Sequence, residues 1–278
     1  MSLLAREFGM VTHEYVKKTS EARTPVSSQE SGLQKGSAMS VNRVRTLAAS
    51  EWLVQAAMDI HASRYQSLLY GLFFVLMGLG IDSAHEGNAA FAIGLSAAFM
   101  FTGPFLSIGL YELSRQIQEG EKLDLWLSMF SWCKNPAAVG RFAFYLSVVM
   151  VAWLWLSTVL MAALHQPSGM LFAAFLLSLW AALAIVVFMA SVVAIPMMLD
   201  RPVSAAQAVR FSLRCCRLNA WALCLWASIV ACGVGLSLAL GYWPLLLVGP
   251  LLGHATWHAY RDMLGCQYAD MPTDSGKA

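Results

Sequence analysis

GYWPLLLVGPLLGHATWHAYR, residues 241–261, is the stretch on which the fold turns. It opens with Tyr242 and Trp243, continues as an apolar run holding Gly249 and Pro250, and closes with His254, Trp257, His258, Tyr260 and Arg261. An apolar segment of about 20 residues crosses about 30 Å of hydrocarbon, and aromatics with a cation at its edges suit the membrane interface. Segments ending at Arg115 and Arg201 follow the same plan more loosely, so a helical membrane protein is expected along the whole chain.

Composition agrees. The 278 residues are 58% hydrophobic and 12% charged, against about 25% charged for an ordinary soluble domain. The net charge is +2 and no basic run interleaves with aromatics, so a lipid bilayer is the expected partner and nucleic acid is not. The six cysteines, Cys133, Cys215, Cys216, Cys224, Cys232 and Cys266, form no CxxC pair and no zinc spacing, and read as free thiols filling apolar space.

Working outward, six spans are expected, at residues 65–81, 89–111, 142–164, 170–199, 220–240 and 242–260. Residues 1–44 are polar and mixed in charge, with SSQESGLQKGS from Ser27 to Ser37, and are expected to be a disordered cytoplasmic segment. Met39 is as good a start as Met1. Residues 45–264 form the expected membrane domain and 265–278 a polar cytoplasmic tail.

Three polar segments precede pairs of spans. In residues 46–62, Trp52, Leu53, Ala56, Ala57 and Ile60 recur at helical spacing opposite a stripe of Glu51, Gln55 and Asp59. KLDLWLSMFSWCK from Lys122 sets Trp126, Met129, Phe130 and Cys133 on one face. Residues 203–218 set Ala206, Val209, Leu213 and Cys216 against Gln207, Arg210, Arg214 and Arg217. These are expected as amphipathic helices in the inner interface, with Arg210, Arg214 and Arg217 facing lipid headgroups.

Positive charge fixes the expected orientation. Of 18 lysines and arginines, eight lie in 1–64, four in 115–141, four in 201–217 and two from 261 onward. The loops 82–88 and 165–169 and the turn at Gly241 hold none, so both termini are expected on the cytoplasmic side with an even span count. An order of elements recurs three times: an amphipathic segment, a membrane hairpin, and a proline near the inner end of its second helix, at Pro104, Pro196 and Pro250. The expected fold is all-α, six transmembrane helices as three hairpins, each preceded by a cytoplasmic amphipathic helix.

SLLYGLFF at Ser67, GPFLSIGLYELSR at Gly103, PMMLDRPVSAAQA at Pro196 and GPLLGHATWHAYRD at Gly249 resemble the bacterial integral membrane family known as domain of unknown function 2189. That resemblance implies a multi-pass inner-membrane protein of unestablished activity. Some members carry a cytochrome c oxidase label, but an oxidase catalytic core needs more spans and more buried histidines than this chain offers.

Candidate chemistry gathers at the inner membrane face. Glu112, Asp200, Arg201, His254 and His258 are ionisable groups in or beside spans, where burial is costly and function is the default hypothesis. His254 and His258 share a helix face and, with Glu112 and Asp200 converging on them, form a candidate metal or heme site. Interfacial histidines bonded to carbonyls and carboxylates are the simpler reading. No nucleophile elbow, phosphate loop or HExxH occurs, so no catalytic residue is assigned. The leading functional expectation is a binding, accessory or assembly protein associated with a respiratory complex. A small transporter or channel is the alternative, because proline-broken helices often surround transport sites, and heme or metal handling at His254 and His258 comes third.

Overall fold

The structure, a computed structural model, describes residues 40–85, 89–163 and 170–265. The expectations for residues 1–39, for most of the turns at 82–88 and 165–169, for Cys266 and for the tail fall on or extend into residues outside these. The chain divides into the unit Val41–Met263 and a second unit of residues 1–40 and 264–278, of which Ser40, Leu264 and Gly265 are described.

The larger unit is helical. In chain order its helices are α1 (Ala48–His85), α2 (Ala89–Glu119), α3 (Leu125–Met129), α4 (Pro136–Ala163), α5 (Met170–Ser191), α6 (Ala194–Asp200), α7 (Ala205–Leu218), α8 (Ala220–Ala239) and α9 (Leu245–Met263), with a 3₁₀ turn at Ser131–Lys134. Among the described residues four stretches are long and apolar enough to cross a membrane: Ala48–Ser83, Pro136–Leu160, Ser178–Asp200 and Ala220–Ala239. α9 falls short of that apolarity because its second half is the polar run HATWHAYRD.

Two helices are broken. α1 leaves helical geometry at Arg64, with φ 24° and ψ −97°, a conformation that costs about 1–3 kcal/mol and persists only where packing on both sides enforces it. The break divides the polar half, 48–63, from the apolar half, 65–85. The segment expected as one span at 170–199 is interrupted at Val192–Val193, dividing α5 from α6. Pro196 therefore sits in the first turn of α6, where a missing N–H removes no bond, rather than kinking a continuous helix. Pro104 and Pro250 lie inside α2 and α9.

α9 packs most extensively on α1, and α2 packs on both. Their shared core is Tyr70, Phe74, Val75, Leu110, Leu113 and Leu245. Pro250 cannot donate to the carbonyl four residues back, and that carbonyl, Leu246 O, faces Gly71 of α1: a Cβ built on Gly71 would stand 2.0 Å from it. Bare Cα–H against carbonyl oxygen is a recurrent close helix contact. One proline on α9 and one glycine on α1 thus set the depth at which these helices meet.

Two of the polar segments pack differently from expectation. Residues 122–134 do not form one helix; the chain makes the single turn of α3, capped by Asp124 on Leu127 N, and then the 3₁₀ turn. Ser128 and Ser131 face inward, Ser128 reaching Tyr70 Oη at 2.7 Å and Gly109 O at 2.7 Å, while Trp126, Phe130 and Trp132 are exposed. In α7 the buried face is Ala205, Ala208, Phe211, Ser212, Cys215 and Cys216, so Ala206 is exposed and the packed face is rotated by about one residue from that expected. A capping box between Ser204 and Gln207 starts this helix.

Candidate functional site

The polar centre of the molecule lies where α1, α2 and α9 meet. On α1, Asp59 follows Trp52 by seven residues and Ala56 by three, so it shares their face and is buried, at 1% exposure. This overturns its expected place on a solvated stripe with Glu51 and Gln55. Ser63 and Ser67 continue the face across the break at Arg64 and are fully buried. Ser114 and Gln118 of α2 lie one turn apart, as do His254 and His258 of α9.

These side chains form one connected network. Asp59 Oδ2 receives the Ser114 hydroxyl at 2.6 Å and lies 2.8 Å from His258 Nε2. Ser114 Oγ is also 2.7 Å from His254 Nδ1, and His254 Nε2 is 2.8 Å from Ser67 Oγ. Ser67 meets Ser63 at 2.5 Å, and the Ser63 hydroxyl donates to the Asp59 carbonyl at 2.7 Å. On the far side His258 Nδ1 contacts Gln118 Nε2 at 3.1 Å, and the Trp257 indole donates to Gln118 Oε1 at 3.0 Å. Asp59, Ser63, Ser67, Ser114, His254 and His258 are each 2% exposed or less. An ionisable carboxylate and two imidazoles removed this far from water need such partners, since a buried polar group without one costs about 1–3 kcal/mol.

Glu112 and Asp200 stand in two other groups. Glu112, just past the apolar segment of α2 and fully buried, accepts from Arg115 at 2.8 and 3.0 Å, from Lys134 at 2.7 Å and from Gln116 at 3.2 Å. Arg115 also pairs with Glu119 and Glu121. Burial pushes the Glu112 carboxyl up, but the hydrogen bonds from Arg115, Lys134 and Gln116 outweigh it and hold it below the usual range. A lowered folded-state pKa means stability present above the ordinary carboxylate pKa and lost as pH falls through the folded value. Acidification below about pH 4.5 is therefore expected to lower the unfolding temperature of wild type in detergent more than that of Glu112→Gln; parallel pH profiles would contradict this. Asp200 accepts from Tyr260 Oη at 2.6 Å and faces Arg261 at 3.5 Å and Arg201 at 3.6 Å. Arg261 also lies 5.9 Å from the centre of the Trp257 ring.

Both ring nitrogens of His254 and of His258 are in hydrogen bonds to protein, so either could bind a metal or heme only by giving one up. Among the described residues no group of three or more His, Cys, Asp or Glu has metal-holding geometry. Cys215 and Cys216 are buried in α7 and desolvation pushes their thiols up to about 12 and about 11, leaving little reactive thiolate. Arg210, Arg214 and Arg217 are exposed on the outer face of α7. Arg210 stands at the edge of an apolar groove of about 490 Å³ lined by Phe142, Leu146 and Val149 of α4, Val186 and Ala190 of α5, and Val209 of α7.

Comparison with known proteins decides the class. Residues 91–200 match a family described as predicted integral membrane protein (DUF2189). The chain is an integral membrane protein. No curated protein and no solved structure matches it. The DUF2189 match takes in Glu112 and Asp200, whereas Asp59, His254 and His258 lie outside it. The sequence signal that could have found Asp59 is its seven-residue spacing from Trp52, which the nearer polar pair Glu51 and Gln55 obscured.

Proposed function

We propose that the protein is a small proton-linked transporter of a bacterial inner membrane, with six spans in three hairpins and both termini cytoplasmic. One observation carries this reading: a carboxylate and two imidazoles from different helices share a buried network beside a break in α1. Ionisable groups within a membrane bundle are costly and mark proton and ion pathways. Discontinuous helices are the usual construction around such sites in transporters. The break at Arg64 adjoins Ser63, and Pro250 lies one turn before His254, so the two helices that carry the ionisable groups have a break in one and an internal proline in the other next to the network. The burial of Asp59, Ser63, Ser67, Ser114, His254 and His258 corresponds to an occluded state. The distribution of lysine and arginine supports the orientation.

The test is uptake into liposomes under an imposed proton gradient, across a panel of amino acids, sugars, organic anions and inorganic cations. Wild type is expected to accumulate at least one solute only with the gradient, and Asp59→Asn, correctly inserted, to do so about tenfold more slowly, or slower still. Absence of gradient-dependent uptake, or an Asp59→Asn protein as fast as wild type, would overturn the proposal.

A second reading, the binding or assembly protein of a respiratory complex, is favoured by the aromatic ledge of Trp126, Phe130 and Trp132, exposed at 72%, 53% and 48%. Exposed aromatics of this kind suit either a membrane interface or a protein interface. Recovery of stoichiometric respiratory subunits in mild detergent from native membranes, lost in Trp126→Ala with Trp132→Ala, would support it. Recovery of the protein alone would remove it.

A further inference from the structure

We infer that the Asp59–Ser114–His254 group holds one proton in addition to those of an ionised aspartate and neutral imidazoles, and passes it between Asp59 and His254 through the Ser114 hydroxyl. The inference deepens the transport reading by naming the coupling group, and it stands on a count of hydrogens.

The count begins at Trp257, whose indole can only donate. Its bond to Gln118 Oε1 fixes the orientation of that amide, so Gln118 Nε2 faces His258 Nδ1 as a donor. His258 Nδ1 is then an acceptor and carries no hydrogen. His258 is neutral with its proton on Nε2, donated to Asp59 Oδ2.

Five contacts remain: Ser63 to the Asp59 carbonyl, Ser63 to Ser67, Ser67 to His254 Nε2, His254 Nδ1 to Ser114, and Ser114 to Asp59 Oδ2. Each needs one hydrogen. Three hydroxyls and one neutral imidazole supply four, so with Asp59 ionised one contact has none. One added proton completes the set in either of two ways. In the first, Asp59 is a carboxylic acid donating to Ser114, and Ser114 donates to His254 Nδ1. In the second, Asp59 is ionised and accepts from Ser114, while His254 is an imidazolium donating from Nδ1 to Ser114. The two differ by one concerted shift: the Asp59 proton moves to Ser114 Oγ as the Ser114 proton moves to His254 Nδ1. In both, His254 Nε2–H donates to Ser67, Ser67 to Ser63, and Ser63 to the Asp59 carbonyl.

Both arrangements are electrically neutral, which suits a site buried from bulk solvent, because an uncompensated buried charge is far costlier than a proton shared within a neutral group. Around the site α1 contributes Asp59 and α9 contributes His258 as titratable groups. α2 presents Ser114 and Gln118, and its carboxylates beside them, Glu112 and Glu119, are already matched by Arg115 and, for Glu112, by Lys134. Asp200 of α6 is bound to Tyr260. None of these supplies a charge that would balance an ionised Asp59 beside two neutral histidines.

The test is solid-state ¹⁵N NMR of histidine-labelled full-length protein in liposomes at neutral pH, with the His254 signals assigned by their loss in His254→Gln. The expected result is a protonated His254 Nε2, accompanied either by a protonated Nδ1 or by the infrared band of a protonated carboxyl that disappears in Asp59→Asn. In Asp59→Asn the amide carbonyl accepts from both Ser114 and His258, so His254 should lose the extra proton and shift to the Nδ1–H form with Nε2 bare. A wild-type His254 with bare Nε2, or one protonated on Nε2 with neither a protonated Nδ1 nor a protonated carboxyl beside it, overturns the inference, since each is a state with no added proton. If His254→Gln does not fold, the wild-type and Asp59→Asn spectra still decide, through the appearance or absence of that tautomer shift. Proton-driven uptake in a wild type without the added proton removes this inference alone; a protonated Nε2 with either companion signal but without uptake removes the transport reading alone.

Discussion

Asp59→Ala is expected to lower the unfolding free energy in detergent by about 3 kcal/mol, because it leaves the buried His258 Nε2–H without an acceptor, removes one of the two partners of Ser114 and opens a void between the helices. Each orphaned group costs about 1–3 kcal/mol, and no solvent reaches the site to replace the carboxylate. Asp59→Asn, whose amide oxygen can accept both bonds, should cost about 1 kcal/mol. Denaturant titration of the purified proteins checks both. Equal losses from the two substitutions would mean that Asp59 matters through its charge and not as the acceptor that joins three helices.

The second large effect belongs to Gly71. A methyl group there would meet the Leu246 carbonyl at 2.0 Å and its carbon at 2.7 Å, and backbone cannot rotate away as a side chain can. Gly71→Ala must separate α1 from α9 and loosen the packing around Tyr70, Phe74 and Leu245, with an expected loss of about 3 kcal/mol. Gly235→Ala is the control, because nothing lies within 4 Å of its added methyl group; a helical glycine in open surroundings should gain about 0.5 kcal/mol from alanine. Thermal unfolding of the two variants should therefore move in opposite directions. A Gly71→Ala protein as stable as wild type would mean that the helices do not approach this closely.

The helical membrane class was legible because hydropathy and the placement of lysine and arginine are properties of long segments, insensitive to any one contact. The change from a polar to an apolar segment around residue 64 was legible too, but the backbone break at Arg64 was not. Less could be read of the site. His254 and His258 were recognised from their spacing, but their partners Asp59 and Ser114 lie some 140 to 200 residues away in sequence, and no local pattern announces such pairing. Glu112 and Asp200 were expected to converge on the histidines, since all sit near the ends of spans. Local charge decided otherwise: Arg115 lies one turn from Glu112, and Tyr260 and Arg261 face Asp200. The single turn of α3 was not legible because Trp126, Met129 and Phe130 have helical spacing, and only the inward serines reveal which face packs.

A double-mutant cycle between Asp59 and His258, using Asp59→Ala and His258→Ala in denaturant unfolding of the detergent-solubilised protein, tests most directly whether α1 and α9 meet on one buried carboxylate. The bond is 2.8 Å long and shielded from water, so the two losses should be non-additive by about 2 kcal/mol, within the range measured for contacting residues. Losses that add to within about 0.5 kcal/mol would contradict the pairing on which the site is built.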